Sequence, residues 1–325
     1  MTHRSHGLSR RHVLGCIGAT LALPNALRAS QTNMIQGTAF GTHWRVMAST
    51  AEVGAEMTRR VDAICAEVDQ QFSPWRPDSL LSRFNHGGAG DRLSEPDVLT
   101  VTAAALDIAR KSDGAFDPTV GPLVARWGFG PITEGGAADW RALDLTETDL
   151  SKNTPDLTLD LCGIAKGWAL DRIAHEARRS GHDNLLFDLG GEFVALGQHP
   201  DGRDWQIAIE PPIPGAQPHI VLRLPPGMAV ATSGTAAQSY SVNGRLYSHI
   251  IDPVTGTPAT GRLRSVTVAA ADAMTADGWA TALFVAGDIA GPDLARTHQI
   301  DAVFQIEAEG TLRDVRTGSV SGLIL

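Results

Sequence analysis

Residues 159–171, LDLCGIAKGWALD, constrain this chain more than any other part of its sequence. The pattern predicts an apolar strand that carries Asp160, a turn at Gly163, and an alanine-rich helix that opens with Lys166 and Gly167. Glycine lets the backbone approach a ligand closely, and a lysine beside a helix N-terminus attracts anions. The segment therefore favours a phosphate site between a strand and a helix, although the full P-loop spacing is absent.

The first thirty residues differ in kind from the rest of the 325-residue chain. They contain no acidic residue, and Arg10-Arg11 precedes a short apolar run that ends in small residues near Ala29. This order is typical of a secretory signal, and paired arginines indicate the twin-arginine route. A buried N-terminal helix is the alternative, but the run is short and interrupted by glycine. We therefore expect a signal peptide over residues 1–29 and a periplasmic mature protein over residues 30–325.

Charge and cysteine content narrow the class of protein. The formal net charge of −9 argues against nucleic-acid binding, which requires a basic surface. No mature segment reaches the roughly 18 apolar residues of a membrane span, so we expect no transmembrane segment. Cys65 and Cys162 are too few for a disulfide scaffold. The sequence does not decide whether a single disulfide joins them.

Hydrophobic periodicity predicts helices near the front of the chain and many strands behind them. Helices are expected over 57–68, 94–111, 165–180 and 276–285. Strands are expected over 44–49, 184–189, 192–197, 205–210, 219–224, 228–232, 245–251 and 265–270, with short elements at the end. This order favours an α+β fold with a largely antiparallel sheet over regular βαβ alternation.

Asp277 and Thr281 lie four residues apart at the start of the last predicted helix. The spacing places a carboxylate and a hydroxyl on one helix face. Both are hard oxygen donors of the kind that hold Mg²⁺ together with phosphate. Taken alone, the pattern fits better with an acid that complements the helix dipole above a packed threonine.

Two other side chains are candidates for chemistry. His249 follows a predicted strand, where an imidazole can act as a general base or bind phosphate. A histidine bonded to a neighbouring loop is an equally good interpretation. Trp75 offers a ring that could stack on a planar ligand, or it could simply pack.

Taken in order, the motifs of the mature chain resemble the ApbE family of FAD:protein FMN transferases. The matching segments are 40–42, 72–73, 78–85, 114–123, 159–171, 188–191, 231–234, 248–253 and 276–283. None is specific alone, but their shared order and spacing are. The resemblance implies an ApbE-like, T-fold-like and two-lobed α+β fold over residues 30–325, with a largely antiparallel sheet and packed helices.

The resemblance also implies a reaction. Such an enzyme binds FAD as its substrate, cleaves the pyrophosphate with Mg²⁺, transfers FMN to a threonine or serine hydroxyl of an acceptor protein, and releases AMP. The implied acceptors are periplasm-facing redox subunits, either of Rnf- or Nqr-type oxidoreductases or of the nitrous-oxide reduction regulator. Two alternatives would use the same site: an FAD pyrophosphatase, and a non-catalytic FAD-binding assembly factor for a respiratory complex.

Site residues follow from the resemblance position by position. Asp277 and Thr281 match side-chain Mg²⁺ ligands, and Gly163 matches a ligand that acts through its carbonyl oxygen. His249, with Asp277, is the catalytic candidate, and it would assist the acceptor hydroxyl or hold the phosphate. The positions that match the lining of the FAD site are Phe40, Trp75, Ala115, Phe116, Asp117, Asp160, Lys166 and Ile251.

Overall fold

The structure is a computed structural model, and it describes residues 32–325 apart from 50–52, 214, 216, 237–238 and 243–244. The predicted signal peptide, residues 1–29, lies outside the described residues. The described helices are α1 (Ala55–Phe72), α2 (Leu80–His86), α3 (Pro96–Lys111), α4 (Gly121–Arg126), α5 (Ala165–Arg179) and α6 (Ala273–Thr297). The described strands are β1 (Thr32–Ala39), β2 (Thr42–Ser49), β3 (Arg92–Leu93), β4 (Leu143–Leu145), β5 (Leu150–Lys152), β6 (Leu185–Leu189), β7 (Glu192–Ala195), β8 (Trp205–Ala208), β9 (Val221–Leu224), β10 (Ala229–Gly234), β11 (Ser239–Val242), β12 (Arg245–Ser248), β13 (Ile251–Asp252), β14 (Thr257–Pro258), β15 (Leu263–Ala270), β16 (Asp301–Ala308) and β17 (Thr311–Thr317).

A single large sheet organises these elements. Its strands run in the order β1-β2-β6-β7-β10-β15-β16-β17, and each neighbouring pair is antiparallel. Side chains alternate between the two faces of a strand, and β6 shows the consequence. Leu185, Phe187 and Leu189 join the larger hydrophobic core. Leu186 joins a smaller core on the other face, so both faces of the strand are covered.

Helices cover one face of the sheet, and a hairpin covers the other. The larger core contains the buried faces of α1, α3, α5 and α6. The smaller core is closed by Trp205 and Ile207 of β8 and by Leu222 and Leu224 of β9. The paired strands β8 and β9 therefore leave the helical face free to form a site.

Helices α5 and α6 approach each other closely at Gly167. A Cβ atom on Gly167 would lie 2.3 Å from the carbonyl oxygen of Ala273, so a larger residue would require backbone movement. Each helix start is also capped by the other helix. Asp277 Oδ2 accepts the N–H of Gly167 at 3.1 Å, while the Asp171 carboxylate accepts the N–H groups of Ala273 and Met274 at 2.8 and 2.9 Å. These caps satisfy donors that have no partner within their own helix.

The predicted α+β class and the antiparallel sheet are confirmed, while several element bounds are wrong. The helix predicted over 276–285 is α6, which is much longer and is kinked at Gly287, where φ is 81°. The strand predicted over 245–251 is divided into β12 and β13, and the apolar strand predicted to carry Asp160 is wrong, because residues 157–161 form a segment without strand pairing. The chain end, where short elements are expected, contains two long strands, β16 and β17. In β16 burial on both faces hides the alternation, whereas β17 does alternate between exposed and half-buried residues over most of its length.

Two further expectations can be compared with the described residues. Cys65 and Cys162 are both free thiols, so no bridge joins them. Within the described part of the chain, no helix combines the length and the apolar character that crossing a membrane requires.

Substitution of Gly167 by alanine tests the close contact between α5 and α6. Alanine is the better helix former, but the added Cβ meets the backbone of Ala273, which cannot rotate away. We expect Gly167→Ala to lower the free energy of unfolding by about 1–3 kcal/mol in urea titrations. Gly88→Ala is the control, because a Cβ there meets no atom within 4 Å, and it should stay within about 0.5 kcal/mol of wild type. Equal stability of both variants would contradict the packing argument.

Candidate active site

The predicted metal ligands meet between the turn before α5 and the first half of α6. Thr281 Oγ1 lies 3.5 Å from the carbonyl oxygen of Gly163 and 3.4 Å from Ser233 Oγ on β10. Asp277 precedes Thr281 by one helical turn and is buried, and it bonds the start of α5 through Gly167. The structure therefore brings Gly163, Asp277 and Thr281 to one place from segments more than a hundred residues apart.

The chemistry of these donors fits a hard cation. A carbonyl, a hydroxyl and a carboxylate supply only oxygen, which is the ligand type of Mg²⁺. Burial raises the pKa of Asp277, and the Lys166 ammonium opposes that shift. A bound cation would likewise favour the ionised carboxylate. Zinc sites typically use three or more His, Cys, Asp or Glu side chains. The described residues contain no such group.

Lys166 forms a partly buried ion pair beside the same turn. Its ammonium contacts the carboxylate of Glu192 at the start of β7, where Glu192 is 3% exposed and Lys166 is 32% exposed. Burial lowers the pKa of Lys166, but the carboxylates of Glu192 and Asp277 outweigh burial and leave that pKa raised. Burial also raises the pKa of Glu192, and Lys166 opposes it. The site thus contains one ammonium between two carboxylates.

Sequence reasoning missed Glu192. It follows Gly190-Gly191, a glycine pair that is typical of a simple turn and gives no indication of a ligand. The available signal is an acid that opens a strand of otherwise apolar residues, Phe193, Val194 and Ala195. In the structure Glu192 Oε2 is buried and has no hydrogen-bond partner, which marks the position as unusual.

Two predicted FAD positions border the Gly163 turn. Asp160 Oδ1 accepts the N–H of Cys162 at 3.0 Å, and the Asp160 N–H donates to the carbonyl of Pro118 at 2.6 Å. The ring of Phe116 lies against Gly163, since a Cβ on Gly163 would be 3.2 Å from Phe116 Cε2. Segments 115–118 and 160–163 therefore lie side by side and form adjacent walls of the candidate site.

Asp117 lies beside a cleft. Its Oδ1 accepts the N–H and the hydroxyl of Thr119 at 2.8 and 2.6 Å, and burial raises its pKa. The cleft has a volume of about 470 Å³, and segments 113–114, 137–141 and 253–256 contribute to its walls. Ala115 and Phe116 directly precede Asp117, so the predicted Ala115-Phe116-Asp117 segment connects the cleft to the Gly163 turn.

The remaining predicted residues lie on separate elements. Phe40 occupies the turn between β1 and β2 and is half-buried against the larger core. Trp75 lies between α1 and α2 and is 62% exposed. His249 lies between β12 and β13, and its ring is edge-on to Phe129 with centroids 6.3 Å apart. Ile251 is buried in β13.

The chain is similar to known proteins over most of its length. The sequence model described as the ApbE family matches residues 40–304. The chain belongs to the ApbE family. A Vibrio cholerae protein named FAD:protein FMN transferase is 33% identical over 326 residues, which is 95% of this chain and 98% of that protein. A Klebsiella pneumoniae protein of the same name is 34% identical over 318 residues, covering 91% of this chain and 89% of that protein.

Solved ApbE structures share the fold. The flavin transferase ApbE from Vibrio cholerae superimposes with a TM-score of 0.80 at 32% identity, covering 90% of this chain and all (100%) of that chain. The apo flavinyl transferase ApbE of Pseudomonas stutzeri gives a TM-score of 0.80 at 32% identity, covering 90% of this chain and 96% of that chain. The predicted family is thereby confirmed, and with it the ApbE fold and the enzyme class of flavin transferase.

Substitution of Glu192 tests how much its ion pair with Lys166 contributes to stability. Glu192→Gln keeps the shape of the side chain but leaves the ammonium of Lys166 with one carboxylate fewer. We expect the free energy of unfolding to fall by about 2 kcal/mol, as for a lost bond to a charged group. Urea titration at neutral pH measures this loss.

A matched control separates burial from ion pairing in general. Glu56 pairs with Arg59 and Arg60 on the exposed side of α1. Glu56→Gln should leave the urea midpoint unchanged, because exposed pairs contribute little. If both glutamine variants shift the midpoint equally, the burial of Glu192 is not what gives its pair strength.

Proposed function

We propose that the chain transfers FMN from FAD to a threonine or serine hydroxyl of an acceptor protein, in a Mg²⁺-dependent reaction that releases AMP. The observation that carries the proposal is the meeting of the Gly163 carbonyl, Asp277 and Thr281 beside Lys166. Membership of the ApbE family and the name shared by its relatives support the same reaction.

In this proposal the chain's own groups position and neutralise the pyrophosphate. Gly163, Asp277 and Thr281 would hold Mg²⁺, which supplies charge neutralisation at the phosphate oxygens. Lys166 adds a cation that is already fixed by Glu192. Phosphoryl transfer depends mainly on such positioning and charge, so little covalent machinery is needed.

The acceptor hydroxyl requires a route for its proton. Its oxygen forms the new bond to the FMN phosphorus, the bond from that phosphorus to the AMP oxygen breaks, and the hydroxyl proton leaves. We assign His249 to accept that proton or to hold the phosphate, because imidazoles titrate near neutral pH. The half-buried place of His249 between two short strands supports a fixed orientation.

FAD would bind against the residues that surround the Gly163 turn. The proposed lining consists of Phe40, Trp75, Ala115, Phe116, Asp117, Asp160, Lys166 and Ile251. The cleft beside Asp117 offers room for part of an extended dinucleotide. The exposed ring of Trp75 is suited to stack on a planar group.

The proposed acceptor is a flavoprotein subunit that faces the periplasm, of the Rnf or Nqr type or the nitrous-oxide reduction regulator. Water in place of that hydroxyl would turn the same site into an FAD pyrophosphatase. A non-catalytic binder accounts less well for the site, because it has no need for oxygen ligands placed as Asp277 and Thr281 are.

Substitution of Asp277 tests the metal assignment. Full-length protein is incubated with FAD, Mg²⁺ and candidate acceptors, and covalent flavin is detected by fluorescence on a denaturing gel. We expect Asp277→Ala, or EDTA with wild type, to lower transfer at least about 100-fold, because a metal ligand is lost. Free FMN and AMP without labelled acceptor would support hydrolysis instead.

Asp293 provides a control on the same helix. It is an exposed acid whose carboxylate pairs with Arg296 on the same helix, so Asp293→Ala should transfer flavin at the wild-type rate. Transfer by Asp277→Ala at a rate similar to that of Asp293→Ala would overturn the assignment of Asp277.

We also propose export to the periplasm by the twin-arginine route, on the pattern of residues 1–29. The double substitution Arg10→Lys and Arg11→Lys should retain the protein in the cytoplasm, because this route reads the paired arginines. Cell fractionation and immunoblotting measure the distribution. Arg28→Lys changes a basic residue of the same segment and should be exported normally, whereas unimpaired export of the double variant would refute the proposed route.

A further inference from the structure

Asn85 ends a sequence motif, DSLLSRFN over residues 78–85, to which the proposed reaction gives no role. Its side chain bonds both backbone groups of one distant residue. Asn85 Nδ2 donates to the carbonyl of Leu159 at 2.9 Å, and Asn85 Oδ1 accepts the N–H of Leu159 at 2.7 Å. Leu159 is fully buried, so these bonds satisfy backbone groups that water cannot reach. Among neutral side chains, the planar amide offers a donor and an acceptor side by side.

Lys152 holds Asn85 from the other side. Its ammonium donates to the carbonyl of Asn85 at 2.8 Å and to the carbonyl of Pro155 at 3.1 Å, and it lies 5.5 Å from the ring centroid of Phe84. The side chain is only 1% exposed. A buried ammonium is costly unless it is hydrogen-bonded, so these contacts fix both the lysine and the backbone of Asn85.

Leu159, the residue that Asn85 bonds, directly precedes the candidate site. Leu159 is held by Asn85, and the N–H of the next residue, Asp160, donates to the carbonyl of Pro118. The chain is therefore fixed on two sides just before it turns through Gly163 into α5. A small shift of this segment would displace the Gly163 carbonyl from Thr281.

We propose that Asn85, held by Lys152, is a positioning residue that sets the place of Asp160 and of the Gly163 carbonyl, and thereby the affinity for Mg²⁺ and FAD. This inference rests on the proposed function. It assigns a role to two residues that touch neither the reacting groups nor the predicted ligands. A purely structural role, in contrast, predicts lower stability with unchanged ligand binding by the folded protein.

The test measures ligand binding apart from turnover. Quenching of flavin fluorescence gives the affinity of the full chain for FAD, and its dependence on Mg²⁺ gives the half-saturating metal concentration. Asn85→Ala should raise that concentration by about tenfold, as for residues that orient metal ligands, while transfer at saturating Mg²⁺ changes much less.

Two more variants keep the test decisive. Asn85→Asp keeps the acceptor for the Leu159 N–H but places a carboxylate oxygen against the Leu159 carbonyl, so its half-saturating Mg²⁺ concentration should also rise. Lys152→Met should shift it in the same direction by less. The double variant Asn85→Ala, Lys152→Met should raise the concentration by less than the product of the two single effects, because both substitutions act through one contact.

Asn184→Ala is the matched control. Asn184 Oδ1 also accepts a backbone N–H, that of Gln198 at 2.9 Å, but it precedes β6 and lies at the opposite end of the β6–β7 hairpin from Glu192. This variant should bind FAD and Mg²⁺ as wild type does. Thermal unfolding followed by circular dichroism verifies that each variant is folded.

Each outcome has a distinct meaning. If wild type transfers flavin and the folded Asn85 variants keep its half-saturating Mg²⁺ concentration, the positioning role is wrong while the proposed function stands. If none of the Asn85 and Lys152 variants folds, the pair is structural and the inference is again overturned. If wild type binds FAD and Mg²⁺ but transfers no flavin to any acceptor, the proposed function fails, and the binding shifts still decide the role of Asn85.

Discussion

The reciprocal capping of α5 and α6 is the interaction on which the candidate site depends. Asp277 of α6 accepts an N–H at the start of α5, and Asp171 of α5 accepts two N–H groups at the start of α6. These bonds require the two helix starts to be adjacent, and the glycine at 167 removes the side chain that would keep them apart. Thr281, one turn further along α6, then faces the carbonyl of Gly163 as a direct consequence.

The charge of the site supports the proposal that a metal ion binds there. Lys166 pairs with Glu192, the Asp277 carboxylate also raises the pKa of Lys166, and Asp160 bonds Cys162 on the Gly163 turn. Three acidic side chains and one ammonium thus share this region, and burial raises the pKa of each of the three acids. A pyrophosphate would add more negative charge to a buried region, where unbalanced charge is costly. In the proposed function, a divalent cation held by the oxygen donors would balance that charge, whereas a second lysine alone would leave the carboxylates in excess.

Local patterns predicted a large part of the fold, for identifiable reasons. The helix from residue 165 and the antiparallel strands follow from hydrophobic periodicity, which depends on near neighbours. Strands β16 and β17 and the full length of α6 were not predicted. The side chains of β16 and α6 are buried on more than one face, so their periodic contrast is weak. Strand β17 alternates between exposed and half-buried residues over most of its length, so burial does not explain why it was not predicted. The division between β12 and β13 depends on how β13 pairs with β14, which a local pattern does not contain.

For the site, residue types could be predicted but their partners could not. The four-residue spacing of Asp277 and Thr281 places both on one face in any α-helix, whatever surrounds it. Glu192 and Asn85 gain their significance only from contacts with Lys166 and Leu159, which the register of the sheet and the path of the chain bring near. A carboxylate after a glycine turn and an amide at a helix end are common features. What distinguishes Glu192 is its burial, and what distinguishes Asn85 is that it bonds both backbone groups of Leu159. Both are properties of the folded chain.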